Sequence, residues 1–119
     1  MPQISVEYSE ALTDAFDRRG FALALHPQAA ELISSTVSGF KTRFRTTGET
    51  VIGGGDPGEA MIHIDLAILP GRDAELKARL GELTLGILTD HLRPATGLNT
   101  QVTVEVRDLA SYQKQVLTL

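Results

Sequence analysis

Hydrophobic and polar residues alternate from the third residue onward. Ile4, Val6 and Tyr8 share one side and Gln3, Ser5 and Glu7 the other, so the period of two predicts a half-buried strand. From about Asp14 to Ile33 the period lengthens. Phe21, Leu25, Ala29 and Leu32 recur at spacings of four, four and three, which predicts a helix. Pro27 falls inside it and predicts a kink or a restart, because proline removes a backbone donor and suits a first turn. Ser34-Ser35-Thr36 reads as a breaker, and Gly39 opens the next element.

The period then returns to two. Phe40, Thr42 and Phe44 alternate with Lys41, Arg43 and Arg45, setting a row of cations on one face of a second strand. "TTGETVIGGGDPGEA" reads as a loop, its glycines permitting tight turns. A phosphate cradle would need a helix straight after those glycines, and a strand follows instead. That strand, "AMIHIDLAIL", turns Ile62, Ile64, Leu66 and Ile68 one way and Met61, His63 and Asp65 the other. "PGRD" ends it, with Asp73 as N-cap of a helix running to about His91 along a Leu76, Leu80, Leu83, Ile87 and Leu88 stripe. "RPATGLN" is a turn, after which Val102, Val104 and Val106 alternate with Thr103, Glu105 and Arg107. "QVLTL" at the end is a candidate short strand for a neighbour's sheet edge.

The order is therefore strand–helix–strand, loop, strand–helix–strand. It predicts a single domain over residues 1–119 in the α/β (α+β) class, a duplicated β-α-β unit. Two long helices would cover one face of a four-stranded sheet. The other face would be polar, and its exposed edges would invite pairing between subunits.

Composition removes several classes of function. The chain has 119 residues, 42% hydrophobic and 22% charged, which is ordinary for a soluble globular protein. No apolar run approaches the roughly 20 residues of a membrane helix, and no signal peptide is visible. The absence of cysteine excludes disulfides and thiolate metal sites and agrees with a cytoplasmic location. A net charge of −4, with only 5% aromatic residues and no tryptophan, argues against nucleic acid as a partner.

Pro2 carries two readings. Proline is acceptable at a strand's first residue, and composition alone favours that reading. Freed of Met1, the same residue would present a secondary amine on a fixed ring. Nearby cations and apolar neighbours would disfavour its charged form and leave free base at neutral pH.

"PQISVEYS", "HPQAAELISSTVSGFKTRFR" and "MIHIDLAILPGRDAELK" resemble the 5-carboxymethyl-2-hydroxymuconate isomerase family of the tautomerase superfamily. The similarity runs along nearly the whole chain, and its most specific marks are Pro2 leading into Val6-Glu7 and the Gly71-Arg72 strand end. The resemblance implies a homotrimer without a cofactor, each subunit giving its sheet to a central barrel. It also implies removal of Met1 and a Pro2 nitrogen acting as general base in ketonising a muconate-type dienol, a step in aromatic catabolism. By the same resemblance Arg72 binds the substrate's carboxylate or dienolate. Arg43 and Lys41 are candidate binders of further substrate carboxylates, ranked after Arg72. Lys41 stands where the family pattern leads one to expect arginine, keeping the charge but not the planar fork, and Arg43 follows two residues on.

The remaining polar residues have blander readings. Arg45 belongs to a solvated face, and the glycine loop is a connection or a pocket wall. His63 and Asp65 form a metal pair, an acid–base dyad or part of a hydrogen-bonded interior, and the lack of repeated ligand spacing favours the interior over any metal site. His91 suits a helix's last turn. Two other functions share the same layout: a non-catalytic trimeric scaffold or ligand-binding module, and a dehalogenase or decarboxylase that uses protonated Pro2 as an acid.

Overall fold

Even-numbered residues of the first strand enter the core and odd-numbered ones do not. In the computed structural model, which describes residues 1–94 and 97–119, Ile4, Val6 and Tyr8 are buried while Gln3 and Ser5 are half-buried and Glu7 is exposed. This strand, β1 (Gln3–Ser9), leads through a short 3-10 turn to α1 (Arg18–Ile33) and then β2 (Lys41–Thr47). The second half repeats the plan with β3 (Glu59–Ile68), α2 (Ala74–Asp90) and β4 (Asn99–Asp108). The sheet order is β2-β1-β3-β4. Each helix crossover joins a parallel pair, and the two halves meet through antiparallel β1 and β3.

Both helices lie on the core face. Phe21 and Leu25 of α1 and Leu80 and Leu88 of α2 join Ile4, Val6, Ile62, Ile64, Leu66 and Ile68 in one cluster, with the valines of β4 packed against it. Full burial of such a side chain is worth about 2 kcal/mol, so the alternation dictates which face each strand turns inward. The expected N-cap is present: Asp73 accepts from the Leu76 amide at 2.9 Å. Asp17 caps α1 in the same way, accepting from Gly20 at 3.0 Å.

Two expectations change. The first helix begins at Arg18, not near Asp14, because residues 10–12 form a 3-10 turn and Phe16 bridges to Leu92. It also runs unbroken through Pro27. Pro27 and Leu23, whose carbonyl it leaves without the usual donor, are both exposed, so water serves the carbonyl and packing on the opposite side keeps the helix whole. The tail after β4 pairs with no strand of its own subunit, which leaves the expectation of a strand on a neighbour's edge as it stands. Ala95 and Thr96 of the expected "RPATGLN" turn lie outside the described residues.

Candidate active site

Pro2 shares the inward parity of Ile4 and Val6, so its ring is buried at the edge of the core. Its carbonyl accepts from the Lys41 amide at 3.3 Å, which ties the start of β1 to the start of β2. With Met1 in place the Pro2 nitrogen is an amide. The Met1 thioether packs over Gly39, where even a Cβ would collide with it. Gly39 thus leaves a side-chain-sized space directly before Pro2.

Cations converge on that corner. Partial burial, and after it the charges of Arg72, Lys114 and Lys41, push the amino terminus at Met1 below the ordinary α-amino range. Arg72 is held firmly. Its guanidinium donates to the Leu69 carbonyl at 3.0 Å and to the Ile33 carbonyl at 2.9 Å, joining the end of β3 to the C-terminal end of α1. These two bonds engage only part of its five-donor fork. Gly71, with φ +116°, makes the turn that delivers it. Lys41 donates to the Gly39 carbonyl at 3.2 Å, beside the same space.

Arg43 is drawn elsewhere. It donates to Gln3 Oε1 at 2.8 Å and reaches Ser5 Oγ at 3.5 Å, on the polar face of the sheet. Cross-strand register builds that face in rows: Lys41, Gln3, Ala67 and Arg107, then Arg43, Ser5, Asp65 and Glu105, then Arg45, Glu7, His63 and Thr103. His63 and Asp65 do not form a dyad. His63 Nδ1 meets Thr103 Oγ1 at 2.7 Å, while Asp65 accepts from Arg107 at 3.0–3.2 Å. Among the described residues no cluster of three or more His, Cys, Asp or Glu could hold a metal. His26 is paired with Thr42 Oγ1 at 2.7 Å, and His91 with the Ile87 carbonyl at 2.7 Å.

Among the described residues, the two largest grooves do not lie where the charges converge. A groove of about 740 Å³ lies between the helices, lined by Gln28, Glu31, Leu32, Arg79, Glu82 and Leu83. Another of about 560 Å³ lies along α1 and β2, beside His26 and Phe44. Neither reaches Pro2. The candidate site is set instead by the charges and by the space that Gly39 leaves open.

Two residues here escape the sequence reading. Gln3 Nε2 donates to Tyr112 Oη at 3.1 Å, and Lys114 Nζ lies 3.8 Å from Met1 Sδ, so the C-terminal tail returns to the start of β1. The available signal is their spacing, since residues two apart in an extended chain share a side. Nothing in the order of the residues says where that tail goes.

Comparison with known proteins agrees with this architecture. Residues 2–115 match the family described as 5-carboxymethyl-2-hydroxymuconate isomerase. A 5-carboxymethyl-2-hydroxymuconate isomerase from Deinococcus radiodurans R1 is similar over 97% of this chain and 90% of its own, at 21% identity and a TM-score of 0.82. A 5-carboxymethyl-2-hydroxymuconate delta-isomerase structure covers 99% and 89%, at 18% identity and a TM-score of 0.77. A fused 4-OT described as a wild-type symmetric trimer covers 90% and 86%, at 12% identity and a TM-score of 0.66. No curated protein matches the chain. With the family match spanning nearly every residue and the duplicated β-α-β fold shared, the chain belongs to the 5-carboxymethyl-2-hydroxymuconate isomerase family.

Proposed function

We propose that this protein isomerises an unsaturated keto/enol carboxylate, such as 5-carboxymethyl-2-hydroxymuconate, by proton transfer at the Pro2 nitrogen after Met1 is removed. The observation that carries the reading is the meeting of Arg72 and Lys41 with a buried Pro2 at one corner of the sheet. Family membership supports the reaction class.

The chemistry needs only groups that the chain supplies. The freed Pro2 amine takes the enol O–H proton and returns a proton to carbon along the conjugated chain. The product is an isomer, and no electron is gained or lost overall. Arg72 and Lys41 hold carboxylate or enolate oxygen and stabilise the negative charge that develops as the dienol ionises. Arg43 holds Gln3, which stands opposite Lys41 in the β1–β2 register. Partial burial, and after it Arg72, Lys114 and Lys41, hold the Met1 amine below its ordinary range. The same surroundings would disfavour a charged Pro2 amine, which suits a base better than an acid at neutral pH. That speaks against the dehalogenase or decarboxylase chemistry, which wants protonated proline.

The assembly proposed is a homotrimer, in which neighbouring sheets close over the polar face. A second reading rests on Met1: if retained, its thioether fills the space before Pro2 and the protein is a scaffold or binding module. Intact mass decides between them. The catalytic test is turnover of 5-carboxymethyl-2-hydroxymuconate by Pro2→Ala and by protein whose Pro2 nitrogen stays acylated. The acylated form is expected to lose about 10²–10⁴-fold in kcat, the usual contribution of a positioned proton carrier. Turnover undiminished in both takes Pro2 out of the mechanism.

A further inference from the structure

The C-terminal tail is exposed for most of its length, yet it returns to the corner that holds Pro2. Tyr112, half-buried, accepts from Gln3 Nε2 at 3.1 Å, and the same Gln3 accepts from Arg43 through its other atom at 2.8 Å. Gln3 thereby joins the tail to β1 and β2. Two residues beyond the clamp, Lys114 sets its ammonium against Met1 Sδ at 3.8 Å, its hydrogen-bond partner among the described residues. A thioether is a weak acceptor for a charged ammonium. Lys114 forms no ion pair among the described residues, whereas Lys77 and Arg107 do.

We infer that Lys114 is a substrate-binding residue that holds a carboxylate of a polyanionic substrate in the space Met1 occupies beside Gly39. This rests on the reading under Proposed function that Met1 is removed and that the substrate binds before Pro2. It adds the residue that lets the site tell a substrate with several carboxylates from one with a single carboxylate. Arg72 and Lys41 approach Pro2 from the β3–α2 turn and from β2, and the tail supplies the third approach. A mono-acid needs only the first two. A second or third carboxylate on the same carbon chain needs a cation at a different bearing, and Lys114 stands there on a flexible stem as a point charge.

The test uses protein as purified, its amino end read by intact mass, in wild-type, Lys114→Gln, Lys114→Arg and Arg79→Gln forms. Arg79→Gln removes one positive charge from the helical layer and serves as the control. Calorimetric titration with adipate, a saturated dicarboxylate that cannot react, reads the anion site without turnover. Lys114→Gln is expected to weaken adipate about tenfold, in the range of a hydrogen bond to a charged group. Lys114→Arg restores it and Arg79→Gln leaves it unchanged. In turnover, Lys114→Gln raises KM for 5-carboxymethyl-2-hydroxymuconate about tenfold and leaves KM for the mono-acid phenylenolpyruvate within about twofold. Adipate binding that is absent from the wild type, or equal in Lys114→Gln, overturns the inference even if the enzyme turns over. A wild type that binds adipate through Lys114 but isomerises neither substrate overturns the proposed reaction and leaves the anion site standing.

Discussion

Gly71 holds φ at +116°, a conformation that side-chain-bearing residues rarely adopt, and a Cβ there would meet nothing within 4 Å. The demand for glycine is therefore one of backbone alone. Gly71→Ala is expected to cost about 1–3 kcal/mol in chemical denaturation and to move the neighbouring guanidinium, and on the proposed role of Arg72 it would weaken substrate binding together with the fold. An unchanged denaturation midpoint would mean that the turn relaxes freely. Lys41 poses a cleaner question because it is exposed and its side chain bonds only to the Gly39 carbonyl among the described residues. Its charge helps keep the amine at the chain's start below the ordinary range, after burial, Arg72 and Lys114. Lys41→Gln removes a cation, so on the proposed mechanism a Pro2 amine would titrate higher and less of it would be free base at a given pH. The acidic limb of the kcat/KM profile should move to higher pH. Lys41→Arg keeps the charge, leaves the limb in place and lowers KM severalfold through the planar fork. A limb that stays put in Lys41→Gln would separate Lys41 from the proton carrier.

At the level of elements, α1 is fastened to β2 through His26. Its Nε2 lies 2.7 Å from Thr42 Oγ1, and its ring packs 5.4 Å from that of Phe40. Burial pushes the imidazole below the usual histidine range. Protonation therefore favours the unfolded chain. Stability should be level above about pH 6.5, the unfolded value, and fall as pH drops from there toward the lower folded value. Thermal unfolding from pH 8 to 5 reads this, and His26→Gln, which cannot titrate, should flatten that part of the curve. A slope unchanged in His26→Gln would move the effect to another group. The same element shows how far sequence pattern carries. Phe21, Leu25 and Ala29 mark the buried stripe of α1 by spacing alone, and the β-strand alternations define both faces of the sheet. Pro27 misleads because local backbone chemistry is outweighed by packing on the far side of the helix. Arg72 is legible as a cation after a strand, but its bond to Ile33 joins residues 39 apart, and Lys114 meets Met1 across 113. Contacts of that range are made by the fold and leave no period in the chain.

Across the whole molecule, one face of the sheet is apolar and covered while the other is polar, ordered in rows and open. β2 and β4 each pair on one side only, so a lone subunit presents two unpaired sheet edges. Beyond the Lys114 clamp, Val116 and Leu117 are 79% and 63% exposed. Apolar side chains so far out on the tail suit burial against another copy's sheet edge. Equilibrium sedimentation is expected to give three copies of the 12.8 kDa chain. Hydrogen exchange should find the outer amides of β2 or β4 protected at concentrations where the trimer persists and fast where it does not. Ending the chain after Gln115 keeps Lys114 and its clamp but removes the apolar end, so the truncated protein should dissociate at higher concentration than the full chain. Were it to assemble as tightly, the tail would serve the site alone, and the edges would have to account for assembly by themselves. A monomer at all concentrations would leave the polar face in water and the Pro2 corner open to it, with cations screened by solvent rather than enclosed by a neighbour.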